Sequence, residues 1–269
     1  MIKKTEQRNP NSMHIDKMSA IEIATTINNE DKLVPLAVEK ALSEIAKTIE
    51  MVVDSFNKGG RLLFIGAGTS GRLGIVDATE CPPTYGEPPE KVVGIIAGGQ
   101  SAVFRASENA EDLGEKGVED VKNANICDKD TLVGISVAGD AMYVRDAILY
   151  AKSVGAHTAA LTCNYDAKIA EVADVAIVTD TGAEVITGST RMKAGTAHKL
   201  VLNMITTGAM IMTGHVVENL MVNMRPSNVK LKERAARIIN DLVGIGMEKA
   251  REEVATGASI REILKKYGK

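Results

Sequence analysis

Past residue 60 the chain alternates between short apolar runs and longer stretches of helical periodicity. The runs are RLLFIG (61–66), VVGIIA (92–97), TLVGIS (131–136), HTAALT (157–162) and DVAIVT (174–179). Each is nearly continuous in apolar residues, as strands covered on both faces are. Helical segments such as DAMYVRDAILYAKSVG (140–155) separate them. This alternation predicts an α/β fold, a parallel five-stranded sheet with helices on both faces.

The flanks read differently. The first ~30 residues are polar, with one weak helix expected over 19–28. VPLAVEKALSEIAKTIEMVVDSF (34–56) has apolar positions at helical spacing, and Lys58-Gly59-Gly60 ends it. A long helical stretch over 189–213 is rich in Met and small residues, which suit a core or a subunit interface. The tail from 227 is charged and helical, with Gly257 separating its last two helices. We expect a helical N-terminal segment (1–57), a central sheet domain (58–225) and a short helical C-terminal tail (226–269).

Composition narrows the function classes. The 269 residues are 45% hydrophobic and 25% charged, as in an ordinary globular enzyme. Aromatics are 3% with no Trp, and the net charge is −3, so neither a base-stacking platform nor a basic footprint for nucleic acid is expected. No apolar run approaches the ~20 residues that span a bilayer, so no membrane partner is expected. The start Met1-Ile2-Lys3-Lys4 has a basic pair but no apolar segment behind it, unlike a signal peptide. Cys81, Cys127 and Cys163 are odd in number and widely spaced, which points to a reducing cytoplasm. The four histidines lack helical metal-ligand spacing, so no metal is expected.

The candidate chemistry begins at Gly66-Ala67-Gly68-Thr69-Ser70-Gly71, between the first strand and a helical stretch. Glycines let the backbone turn and approach a ligand, and helix-start N–H groups with two hydroxyls make an anion site. A nucleotide-binding P-loop would need a Lys that is absent here. A dinucleotide site would need an acid at the tip of the next strand, which ends IIAGGQ. A phosphate monoester fits best, with no cofactor. A second set of hydroxyls and cations, Ser189, Thr190, Arg191, Lys193 and Thr196, precedes the long helix and reads as further anion contacts.

GAGTSGRLGIVDATECPPTYG (66–86), IIAGG, AED (110–112) and GAEVITGSTRMKAGTAHKLVLNM (182–204) together resemble the N-acetylmuramic acid 6-phosphate etherases. The opening TEQRNPNSMHIDKMS is similar too, so the likeness covers about residues 5–240. These enzymes have the sugar isomerase (SIS) fold, a three-layer sandwich, and the glucokinase regulatory protein is a related binding branch. The resemblance implies elimination of D-lactate from C3 of the ring-opened sugar phosphate, then addition of water, with one base and one acid exchanging roles. It implies Glu80, before Cys-Pro-Pro, as the acid and Glu111 as the base. The expected substrate contacts are Gly68, Thr69, Ser70 and Arg72, with Ser136 and the second set. A homodimer around the site is also implied.

Two departures stand out. After the third strand the etherases read Ala-Ser-Gly-Arg-Thr-Pro, whereas this chain reads Val137-Ala138-Gly139-Asp140-Ala141-Met142. Two hydroxyls are missing and an acid replaces a cation, which is expected to weaken phosphate binding. The family's helical tail domain is also longer. These changes leave open a non-catalytic sugar-phosphate regulator or an etherase-like enzyme with an altered substrate; an aldose–ketose isomerase shares only the first loop.

Overall fold

In a computed structural model that describes residues 2–224, 226 and 228–269, strands form at all five apolar runs. They are β1 (Leu62–Gly66), β2 (Val92–Ile96), β3 (Thr131–Ile135), β4 (His157–Thr162) and β5 (Val175–Val178). All pair in parallel, in the order β2-β1-β3-β4-β5. Alternate side chains leave opposite faces of the sheet, which explains the continuous apolar runs. Phe64, Val133, Leu161 and Ile177 enter one core, while Leu63, Ile65, Leu132 and Ala160 enter the other. All eight are fully buried, each large one contributing roughly 1.5–3 kcal/mol.

After α1 (Ala20–Asp31), the first face is covered by α2 (Val34–Glu39), α3 (Leu42–Asn57), α4 (Gly68–Tyr85) and α9 (Lys193–Met212), which supply buried residues to its core. The second carries α6 (Gly114–Asn123), α7 (Met142–Ser153) and α8 (Lys168–Val172), with short α5 (Ser101–Phe104) following β2. The single helix expected over 34–56 is two. At the junction the Ala41 N–H bonds the Val38 carbonyl, an i→i−3 contact that tightens the chain into a turn. The helix after β1 has 18 residues. It starts at Gly68 and runs through Pro82 and Pro83 to a left-handed Gly86, whose N–H bonds the Pro82 carbonyl. Glu80 therefore lies within this helix.

A hairpin of β6 (Val216–Val217) and β7 (Leu220–Met221) leads to the tail. There α10 (Val229–Val243), α11 (Met247–Ala255) and α12 (Ile260–Lys266) enclose a separate small core with Val222 and Met224. Gly257 does separate α11 from α12. The domain boundary expected at 225 falls on Arg225, outside the described residues.

Candidate active site

The sheet order reverses between β1 and β3, and Gly66 pairs with Ile135 at their carboxyl ends. In open parallel sheets ligands bind at this switch point. A cavity of about 550 Å³ opens there. One wall is the start of α4, with Gly68, Thr69 and Ser70; another is Ser136, Val137, Ala138 and Ala141, after β3.

Gly68 takes φ +53°, and Gly71 is held tight against β1, where a Cβ would lie 2.6 Å from the Gly66 carbonyl oxygen. The glycines thus set the helix end close over the strand. No side chain caps α4, so its first N–H groups are available to an anion. Ser136 Oγ accepts the Gly139 N–H at 3.1 Å, which orders the wall and leaves the hydroxyl proton to donate. Thr190 also lines the cavity. Among the described residues no lysine or arginine lines it, so hydroxyls and N–H groups are the donors it offers.

Glu111 stands on a single 3-10 turn (Ala110–Asp112) that follows Asn109, whose backbone is left-handed at φ 59°. It lines the cavity together with Glu108 and Glu6. Glu80 does not. It lines a separate cleft of about 230 Å³ between α4 and α9, with Asp77, Lys199 and Asn203. Leu73 borders both spaces. Within one chain the expected acid and base are therefore in different clefts.

Several expected anion contacts are committed elsewhere. Arg72 turns to the far side of α4, donating to the carbonyls of Val103 at 2.9 Å and Ala102 at 2.7 Å. Lys193 is buried, with Nζ 2.6 Å from Glu30 Oε2. The α9 N-terminus is no anion site either. The buried Glu184 carboxylate already accepts the Lys193 and Ala194 N–H groups, at 3.0 and 2.9 Å. Arg191 and Thr196 line an adjoining cleft of about 280 Å³ shared with Thr69 and Gly195, and the Thr196 hydroxyl bonds the Met192 carbonyl. Ser189 lies in the turn before α9 and lines none of these spaces.

Comparison with known proteins fits this geometry. Residues 44–152 match the family model for the glucokinase regulatory protein N-terminal SIS domain, and 108–208 match the SIS domain. A phosphoheptose isomerase from Francisella tularensis superposes with TM-score 0.55 at 16% identity, covering 72% of this chain and 100% of that one. The fold is shared at that distance. An N-acetylmuramic acid 6-phosphate etherase from Actinobacillus pleuropneumoniae serotype 5b is 57% identical over 235 residues, 87% of this chain and 77% of that protein. The chain belongs to the N-acetylmuramic acid 6-phosphate etherase family. Another etherase, from Clostridium beijerinckii, is 52% identical over 92% of this chain and 82% of its own length.

Within this etherase-family chain two further residues border the site. Glu6 reaches the cavity from the N-terminal segment, a position with no periodicity or spacing to mark it. His198 lies beside the cavity but is fully buried, with Nε2 3.5 Å from Cys163 Sγ and Nδ1 unpartnered among the described residues. Burial pushes its imidazole down to about 3, so it is neutral. Only its place one turn into the Met-rich helix hinted at it. Asp140, expected to repel a phosphate, has Lys3 Nζ 2.7 Å from its Oδ2. The expected charge penalty of this altered loop is thus offset by a cation 137 positions away. Among the described residues no helix is long and apolar enough to cross a membrane.

Proposed function

We propose that this chain removes D-lactate from C3 of N-acetylmuramic acid 6-phosphate, leaving N-acetylglucosamine 6-phosphate. The observation that carries the reading is the 57% identity to an etherase across 87% of the chain. The cavity suits the substrate: an uncapped helix start and hydroxyls for the phosphate, with a carboxylate at the rim.

In this reading Gly68, Thr69, Ser70, Ser136 and Thr190 hold the phosphate. Glu111 takes the proton from C2 of the opened sugar. The electron pair moves through the enolate to break the C3–O bond, and Glu80 protonates the departing lactate oxygen. Glu80 then takes a proton from water as it adds to C3, and Glu111 returns a proton to C2. Acid and base exchange roles, as reversible proton transfers require.

Both carboxylates must reach neighbouring carbons of one sugar, yet one chain holds them in separate clefts. We therefore propose a homodimer in which each cavity is completed by Glu80 of the partner subunit. The α4–α9 surface suits such pairing, with Val76 57% exposed and Met204 37% exposed. Residues 58–225 form the sugar-phosphate unit, and the cytoplasm keeps the three thiols reduced. The regulator reading drew on the altered 137–142 loop and the short tail; the Lys3 contact offsets the Asp140 charge alone.

The test is lactate release from N-acetylmuramic acid 6-phosphate by the parent, by Glu80→Gln and by Glu111→Gln. Each variant should lose about 10²–10⁴-fold in rate. Co-refolding the two inactive variants should restore roughly a quarter of parental activity, because a two-fold heterodimer regains one intact site. No lactate from the parent overturns the etherase reading; no recovery on mixing overturns the shared site.

A further inference from the structure

The N-terminal segment crosses the carboxyl ends of three strands. Beyond β3, Lys3 Nζ donates to the Ala138 carbonyl and pairs with Asp140 at 2.7 Å. Beyond β4, Asn164 Nδ2 donates to Thr5 Oγ1 at 3.3 Å, and Thr5 is fully buried. Beyond β5, Lys4 pairs with Asp180. Glu6 then lines the cavity. The Lys4 and Thr5 contacts anchor the chain just after Lys3. Its side chain is 15% exposed against 43% for Asp140.

The segment it grips is the wall of the phosphate cavity, since Ser136, Val137, Ala138 and Ala141 all line that space. Asp140 belongs to this segment without itself lining the cavity, so its carboxylate opposes a phosphate dianion from outside that space, and a shift of the wall moves the Ser136 hydroxyl. One lysine contact addresses both.

We propose that Lys3 is a positioning residue for the substrate phosphate: it cancels the Asp140 charge and, through the Ala138 carbonyl, holds the 136–141 wall against the phosphate. The N-terminal arm is thereby part of the binding site. The inference rests on the sugar-phosphate reading of this cavity, and its ligand class is a phosphomonoester. Lys3 acts on the wall and not on the reacting carbons, so its loss falls on affinity rather than on the chemical step.

The experiment compares the parent with Lys3→Glu, Asp140→Lys and the exchanged pair Lys3→Glu/Asp140→Lys. Calorimetry reads binding of N-acetylglucosamine 6-phosphate and of unphosphorylated N-acetylglucosamine, and lactate release gives KM and kcat. Lys3→Glu should weaken the phosphorylated sugar about tenfold or more. It should leave binding of unphosphorylated N-acetylglucosamine nearly unchanged, and raise KM far more than it lowers kcat. The exchanged pair should recover only the charge part of the loss, because Glu at position 3 restores the ion pair with reversed polarity but cannot donate to the Ala138 carbonyl. Equal losses for both sugars, or no rescue by the exchange, overturn the proposal. A parent that binds no phosphorylated sugar overturns it too. A parent that binds the phosphorylated sugar but releases no lactate overturns only the etherase reading, and the binding comparison still decides the role of Lys3.

Discussion

Lys193 Nζ lies 2.6 Å from Glu30 Oε2, tying the start of α9 to the end of α1 in a site closed to water. Burial works against the Glu30 charge, yet hydrogen bonds from Lys193, Asn11 and Asn9 hold its carboxyl below the usual carboxylate range. Breaking a buried pair strands one charge and typically costs about 3–5 kcal/mol. Lys193→Ala should therefore lower the melting temperature by several degrees, at roughly 2–4 °C per kcal/mol for a chain of this size. Thermal denaturation checks this. An unchanged melting temperature with weakened ligand binding would instead return Lys193 to the ligand.

Ser70 stands at the uncapped start of α4, on the cavity. Ser70→Ala should weaken phosphorylated ligands by about 1.5–3 kcal/mol, the usual worth of a hydrogen bond to a charged group. N-acetylglucosamine, which has no phosphate, should be nearly unaffected. Titration of both sugars checks it, and equal losses would move Ser70 to the sugar ring.

Gly71 has no room for a side chain, since a Cβ would lie 2.6 Å from both the Gly66 oxygen and Ile96 Cγ1. Gly71→Ala should push α4 off the strand, costing about 1–3 kcal/mol in packing strain. The helix start would move with it, so phosphate affinity should fall in the same variant. Denaturation and titration together test the coupling; a variant that keeps both values would show that the loop has slack.

His198 is neutral in the folded chain down to about 3, because burial disfavours its charge, whereas the unfolded residue titrates near 6.5. Between these values the unfolded state binds the extra proton, so stability falls as pH falls. The contribution is fully present above about 6.5 and is lost by at most ~1.4 kcal/mol per pH unit below it. Denaturant melts from pH 7 to pH 5 should show this slope in the parent and a shallower one in His198→Leu. Parallel slopes would mean that the imidazole takes up its proton in the folded state.

The hydrophobic pattern by itself determined the five strands, their burial on both faces and the parallel sheet, because strand and helix periods are local properties of the chain. The glycine-rich loop after the first strand marked Thr69 and Ser70, whereas Ser136 came from family resemblance. Glu111 came from family resemblance; its acidic neighbourhood has no distinguishing spacing. Tertiary structure decided which charges are free. Arg72 is spent on carbonyls some 30 positions away, and Lys193 on an acid 163 positions away. Glu184 closes the α9 start, while the α4 start stays open. Lys3 offsets Asp140, and Glu80 sits across Leu73 from the cavity. No local pattern encodes these outcomes, because a buried charge takes whichever partner the packed elements bring within reach, and that partner is distant in sequence.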